Sequence, residues 1–274
     1  QMHYKTTLGH SLPFFGSMKL TSVTPKKIVE YKNMRYGKGV KPGTVNLERS
    51  MFSKMFNLAI REWEWVKENP VSKVSRDREN NQRDKWLSVE EERRLLENSP
   101  EWLQELILLA LHTGLRRGEI LSLTWDRVNL FQKTIIIQKS KNGRPRTVPL
   151  TSIAMGILEE KARIRSLKTS LVFTNTVGKK IGTSWVMKHF IFARGKAGLE
   201  DFHFHDLRHT FATRLAQRGV DLYTISKLLG HVNITMTARY AHHCPESLRA
   251  GIAVLENSGH DLVTVKETRN VSNA

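Results

Sequence analysis

Apolar residues recur along most of this chain at three- and four-residue intervals, the spacing of one face of an α-helix. The segment TPKKIVEYKNMRYG (24–37) opens on a threonine and a proline, a good helix start, and stops at Gly37. KPGTVNLERSMFSKMFNLAIREWEWV (41–66) predicts a second helix, with Val45, Met51, Met55, Leu58 and Trp65 near one apolar stripe. NPVSKVSRDRENNQRDKW (69–86) has almost no apolar residues, is studded with charge, and reads as an interdomain linker. LSVEEERRLLENSP then predicts a helix capped by Ser88, and EWLQELILLALHTG a buried helix stopped by Gly114. LRRGEILSLTW begins another. KTIIIQ (133–138) and RTVPL (146–150) flank KSKNGRP, the pattern of a β-hairpin with a basic tip, and SLVFTN predicts one more short strand. From Thr183 onward the pattern is helical.

These elements predict a mainly α protein. A helical first domain occupies 1–75 and a linker 76–86. A mainly α second domain with a small antiparallel β-sheet follows at 87–259, and 260–274 forms a tail. The length, 274 residues, suits two domains.

Charge adds the first functional constraint. Lys and Arg number 44 against 26 Asp and Glu, for a formal charge of +18. Residues 1–85 and 86–274 each carry +9, so the excess is spread over both halves. Such a surface implies a polyanionic partner, nucleic acid before an acidic membrane. Cys244 is the only cysteine, which excludes an internal disulfide framework and fits a reducing cytosol. The longest aliphatic run, LILLAL (106–111), is too short to span a bilayer, and the N-terminal stretch lacks a signal-peptide layout. The opening Gln1-Met2 reads as part of a longer chain.

Candidate chemistry concentrates in FHFHDLRHTFATRL (202–215). His205 and His209 share a helix face and suit a metal, with His203 nearby, but Arg208 on that same face is a poor neighbour for a cation. Imidazole beside guanidinium suits a phosphate. TGLRRGEILSLTW (113–125), HDLRHTFATRL (205–215), LLGH (228–231) and ARYAH (238–242) occur in that order, with nine positions from His231 to Tyr240. In these motifs residues 86–245 resemble the catalytic domain of the tyrosine recombinases, the phage-integrase family. Residues 20–75 resemble, more loosely, that family's helical core-binding domain.

The resemblance implies strand transfer through a covalent 3′-phosphotyrosine, with Tyr240 as nucleophile and Tyr223 as the competing tyrosine. Arg116 and Arg208 then neutralise the nonbridging oxygens, whose geometry matches their donor forks. His205 and His231 complete the phosphate ligands, with His205 taking the tyrosine's proton. A hairpin lysine protonates the departing 5′-hydroxyl; Lys141 is favoured by its spacing to VPL, and Lys139 competes. Glu119 and Asp206 support the cage, and Arg117 faces solvent. His209 is either a buried structural histidine or a direct phosphate contact. The family chemistry needs no metal and no nucleotide cofactor.

The implied partner is double-stranded DNA bearing specific recombination sites, clamped between two domains, with four protomers assembling on two sites and no membrane involved. Thr44, Arg49 and Lys54, off the apolar stripe, are either a solvated face or DNA contacts. In CPESLRAGIAVLENSG (244–259), Leu248, Ile252 and Leu255 form a stripe that packs in cis or docks on a neighbouring protomer. Three other readings remain: a helix-turn-helix repressor on 219–240, a metal-dependent hydrolase, and a type IB topoisomerase or telomere resolvase.

Overall fold

A computed structural model of the chain describes residues 2–79, 85–138, 145–165, 168–244 and 252–253. Two units divide at the linker, Gln1–Arg83 and Asp84–Ala274.

The first unit holds α1 (Met2–Phe15), α2 (Pro25–Gly37) and α3 (Pro42–Arg61), followed by a 3-10 turn at Pro70–Lys73. Thr24 caps α2 by accepting from the Lys27 amide, and Gly39, at φ 71°, turns the chain beyond Gly37. Ile28, Tyr31, Met51, Phe52, Phe56, Val71 and Val74 form the core. The buried face of α3 matches the expected stripe in part: Val45 and Met51 are buried and Leu58 is half-buried. Met55 is 40% exposed, and Trp65 lies beyond the helix, exposed and packed on Trp63 at 4.7 Å. A strict apolar count missed the rest of that face because it also carries Asn46 and Glu48, both buried. Glu48 is held there by Arg35 (Nη2 to Oε1 2.8 Å, Nε to Oε2 3.0 Å) and by the Tyr31 hydroxyl at 3.0 Å. The charged run 69–86 does not begin as linker; its first residues fall within the expected first domain, 1–75. Val71 and Val74 are core residues, so 69–74 belongs to the first unit: two valines in a charged run suffice to anchor it.

In the second unit, Ser88 and Glu91 form a reciprocal cap on α4 (Val89–Glu97). The central helix α5 (Glu101–Thr113) is apolar on most sides because α7 (Ser152–Arg163) and α9 (Asp206–Gln217) both pack on it. Between them come α6 (Arg117–Leu121) and a three-stranded antiparallel sheet, β1 (Val128–Asn129), β2 (Thr134–Ile137) and β3 (Arg146–Pro149). Ile135 pairs with Val148 and Ile137 with Arg146; these four side chains point inward, whereas Ile136 is exposed. SLVFTN is not a strand of this sheet, making only single bridges at Leu171 and Thr174. Helices α8 (Thr183–Lys196) and α10 (Leu222–Leu229) follow the helical pattern. Beyond them the chain tightens into 3-10 turns, Ile234–Met236 and Ala238–His243, instead of continuing as α-helix. Among the described residues no helix is long and apolar enough to cross a membrane.

Candidate active site

Arg208 is built into the fold by two helix ends. α5 and α10 both stop at left-handed glycines, Gly114 (φ 63°) and Gly230 (φ 66°). The Gly114 carbonyl accepts from Arg208 Nη1 at 2.7 Å, and the Leu229 carbonyl accepts from Nη2. Both carbonyls lie at the negative end of a helix dipole, a fitting seat for a cation that is only 3% exposed. Burial, then the neighbouring charges of Arg116 and Arg146, pulls the guanidinium's pKa down to about 9. It is a desolvated cation crowded by others, and an anion would relieve it.

Arg116 sits at the N-cap of α6 and shares the Glu119 carboxylate with Arg146. Glu119 Oε2 accepts from the Arg116 backbone amide at 2.8 Å, and Oε1 accepts from Arg116 Nη1 at 3.1 Å. Arg146 Nη1 and Nη2 reach Oε1 and Oε2 at 3.1 and 2.7 Å, a two-pronged pair. Burial pushes the Glu119 carboxyl up, but Arg146 and then Arg116 outweigh it and hold the group below its ordinary range. Two guanidiniums therefore share one carboxylate.

Arg116, Arg117, His205 and Arg208 line one cavity of about 240 Å³, with Leu115, Gly118 and Phe204. His205 is exposed at the surface, yet desolvation by the groups packed around it, the Arg208 charge and then Arg116 and Arg239 hold its imidazole below the usual value, against the pull of Asp206. His231 and Arg146 line a second cavity of about 490 Å³, with residues of β3 and α10. Burial, followed by Arg208, Arg116, His209 and Arg146, lowers His231 to about 4, so it is neutral at pH 7. Its Nδ1 bonds Thr237 Oγ1 at 2.8 Å.

Tyr240 is 3% exposed, packed beside Ala212, Ala216, Ile225 and Leu229. Its hydroxyl lies 2.5 Å from His209 Nδ1, and the His205 and His209 rings stand edge to face at 5.1 Å. Tyr223, the competing tyrosine, is 64% exposed on α10 under the Lys227 ammonium.

Residues 85–247 match the phage integrase family, and residues 3–77 match the phage integrase N-terminal domain. This chain belongs to the phage integrase family of tyrosine recombinases. It is 34% identical over 214 residues to a shufflon-specific DNA recombinase of Escherichia coli, covering 77% of this chain but only 53% of that protein. With the integrase of Salmonella phage P22 it shares 30% identity over 281 residues, covering 89% of this chain and 72% of the integrase. Lambda integrase, solved as a tetramer bound to a Holliday junction, has the same fold, at a TM-score of 0.73 and 24% identity over 88% of this chain and 71% of that one.

In this integrase-family chain, five of the six residues expected to act on the phosphodiester fall in one region of the second unit: Arg116, His205, Arg208, His231 and Tyr240. The sixth, Lys141, and its competitor Lys139 lie outside the described residues, as do Leu248 and Leu255 of the C-terminal stripe. Thr44 and Lys54 are exposed on α3; Arg49 instead donates to the carbonyls of Val71 and Val74. Arg117 is half-buried at the cavity and does not simply face solvent. Asp206 is buried and accepts from the His203 amide at 2.7 Å. Among the described residues no group of three or more His, Cys, Asp or Glu is placed to hold a metal ion. Sequence reasoning missed Arg146 and the pairing of His209 with Tyr240. The first was legible: Arg146 falls two residues before Val148, on the inward face of β3. The second had no local signal, because 31 residues separate the partners.

Proposed function

We propose that this chain is a site-specific DNA recombinase that cuts and rejoins duplex DNA through a 3′-phosphotyrosine link. One observation supports this most: Arg116, His205 and Arg208 share a cavity, beside a buried tyrosine whose hydroxyl is held by an imidazole. In the step we assign, Tyr240 Oη attacks phosphorus and passes its proton to the adjacent imidazole. The P–O5′ bond breaks, and the departing oxygen takes a proton from Lys141. Arg116 and Arg208 neutralise the charge that builds on the nonbridging oxygens, with His205 and His231 as further donors. His209 touches the hydroxyl, so the proton acceptor in this reading is His209, and His205 serves the phosphate. The phosphotyrosine conserves the bond energy, and a 5′-hydroxyl reverses the step on rejoining.

The DNA is double-stranded and carries specific sites, the setting is the cytoplasm, and the working assembly is a tetramer on two sites; lambda integrase was solved as a tetramer bound to a Holliday junction. Thr44, Arg49 and Lys54 are its proposed contacts in the first unit. Replacing Tyr240 by Phe tests the reading directly: the variant binds its site and forms no covalent adduct on denaturing gels. Adduct at the unmodified protein's level moves the nucleophile, with Tyr223 next. Lys141→Ala is slowed on the order of 10²–10⁴-fold and rescued by a 5′-bridging phosphorothiolate, whose sulfur leaves unprotonated. A chain ended at His243 retains single-site binding and loses cooperative pairing in a two-site gel shift; normal pairing would dismiss the trans-docking role of the stripe.

A further inference from the structure

Arg146 is an arginine in a strand that points inward. Its side chain is 4% exposed, and both of its terminal nitrogens are committed to Glu119. That geometry removes it from direct contact with a phosphate. What it controls is the carboxylate between itself and Arg116. Arg116 is 30% exposed at the N-cap of a helix of only five residues, and a single side-chain bond, 3.1 Å to Oε1, ties its guanidinium to Glu119. A long side chain so weakly tied has freedom to lose, and a carboxylate freed of its other partner would close on it with both oxygens.

We infer that Arg146 is a positioning residue for strand cleavage: by holding Glu119 from the far side, it keeps that carboxylate supporting Arg116 without capturing it. One negative charge divided between two guanidiniums leaves Arg116 with positive charge for the phosphate. Gly230 belongs to the same device. A Cβ there would stand 2.9 Å from Arg146 Cδ and 3.0 Å from Nη1, so the glycine leaves the room in which Arg146 lies. The charges also sense one another, since Arg146 contributes to the depressed values of both Arg208 and His231. This inference rests on the recombinase reading of the cavity.

The test compares single-turnover adduct formation by the full chain on two nicked substrates, one with an ordinary scissile phosphodiester and one with a methylphosphonate there. The methyl group removes the negative charge that Arg116 meets. Arg146→Met is expected to bind its site normally and to cleave the phosphodiester about 10²-fold more slowly, the size of one lost transition-state donor. On the methylphosphonate the defect should shrink to a few-fold. Adding Glu119→Gln to Arg146→Met should speed phosphodiester cleavage, because the competing charge is gone. Should Arg146→Met melt below the assay temperature, Arg146→Lys, which keeps a charge and one bond, is expected to show the same substrate selectivity at smaller size. A defect equal on both substrates, or a double variant slower than the single, overturns the inference and leaves Arg146 a stability residue. Unmodified protein that forms no adduct on the phosphodiester would instead sink the recombinase reading itself.

Discussion

The hydroxyl of Tyr240 lies 2.5 Å from Nδ1 of His209, although the tyrosine belongs to a 3-10 turn and the histidine to the first turn of α9. The contact seats the tyrosine against an imidazole one helical turn from His205, whose ring meets that of His209 edge to face. Attack at neutral pH requires an acceptor for the hydroxyl proton, and His209 is placed to be one in the tautomer that leaves Nδ1 unprotonated. His209→Gln is therefore expected to slow adduct formation by about 10²–10⁴-fold at pH 7. That gap should narrow as pH rises and hydroxide increasingly takes the proton in place of the imidazole. His205→Gln should give a defect that does not narrow. A pH–rate profile of single-turnover cleavage distinguishes them, and an unchanged rate in His209→Gln would return the proton to His205.

Gly114 is a second point where backbone geometry meets the site. Its φ of 63° is left-handed, and a Cβ would stand 2.5 Å from Phe211 Cδ1 and 3.1 Å from Leu229 Cδ2. Gly114→Ala should cost about 1–2 kcal/mol for the conformation alone, with the clash added to it. The carbonyl of Gly114 is also an acceptor for Arg208, so cleavage should fall along with the melting temperature. Thermal melting and adduct formation measure the two effects, and a variant that melts and cleaves like the unmodified protein would show the site tolerates displacement of this turn.

Most of the second unit was legible because its signals are local. The Ser88 cap, the glycine stop of α5 and the antiparallel pairing of 134–137 with 146–149 each lie within a short stretch, and the order of the four motifs pointed to the family before any geometry did. What escaped depends on contacts distant in sequence. Arg146 reaches across 27 residues to Glu119, and Glu48 is buried by partners 13 and 17 residues away. A charged residue on a buried face looks like a solvated one until its partner is found. Arg49 shows the converse: a basic residue off the apolar stripe donates to backbone carbonyls of the 3-10 turn.

The Arg35–Glu48 pair makes that cost measurable. Glu48 is 2% exposed and carries bonds from Arg35 and Tyr31, whose hydroxyl is pushed above its ordinary pKa by burial and then by Glu48. Removing one partner strands a buried charge, so Arg35→Met should destabilise the first unit by about 3–5 kcal/mol. Replacing the whole set, Arg35→Met with Glu48→Leu and Tyr31→Phe, should recover most of that loss, since no polar group is left unpaired. Denaturant titration of the three proteins checks both. A triple variant no more stable than the single would mean that the packing of this core, and not its charge, was disturbed.

His231 carries the prediction for acid. Its value in the folded chain is about 4, lowered by burial first and then by Arg208, Arg116, His209 and Arg146; in the unfolded chain it returns to near ~6.5. Between those values the unfolded chain binds the extra proton, so His231 makes folding less favourable as pH drops from about 6.5 to about 4, and adds no further loss below that. His231→Asn removes this group. Its melting temperature should therefore decline less steeply than that of the unmodified protein between pH 6.5 and 4, while the other depressed imidazoles, His205 and His112, contribute equally to both curves. Bound DNA reverses the electrostatics: a phosphate opposite Arg116 and Arg208 offsets the cations that keep His231 neutral, and raises its pKa in the complex. Binding should then take up a proton, and affinity for a cognate site should strengthen on going from pH 7 to 5.5 more in the unmodified protein than in His231→Asn. Melting curves and gel shifts across that range read the two arms. Parallel pH dependence of the two proteins in both measurements would mean that His231 neither senses the arginines when free nor meets the phosphate when DNA is bound.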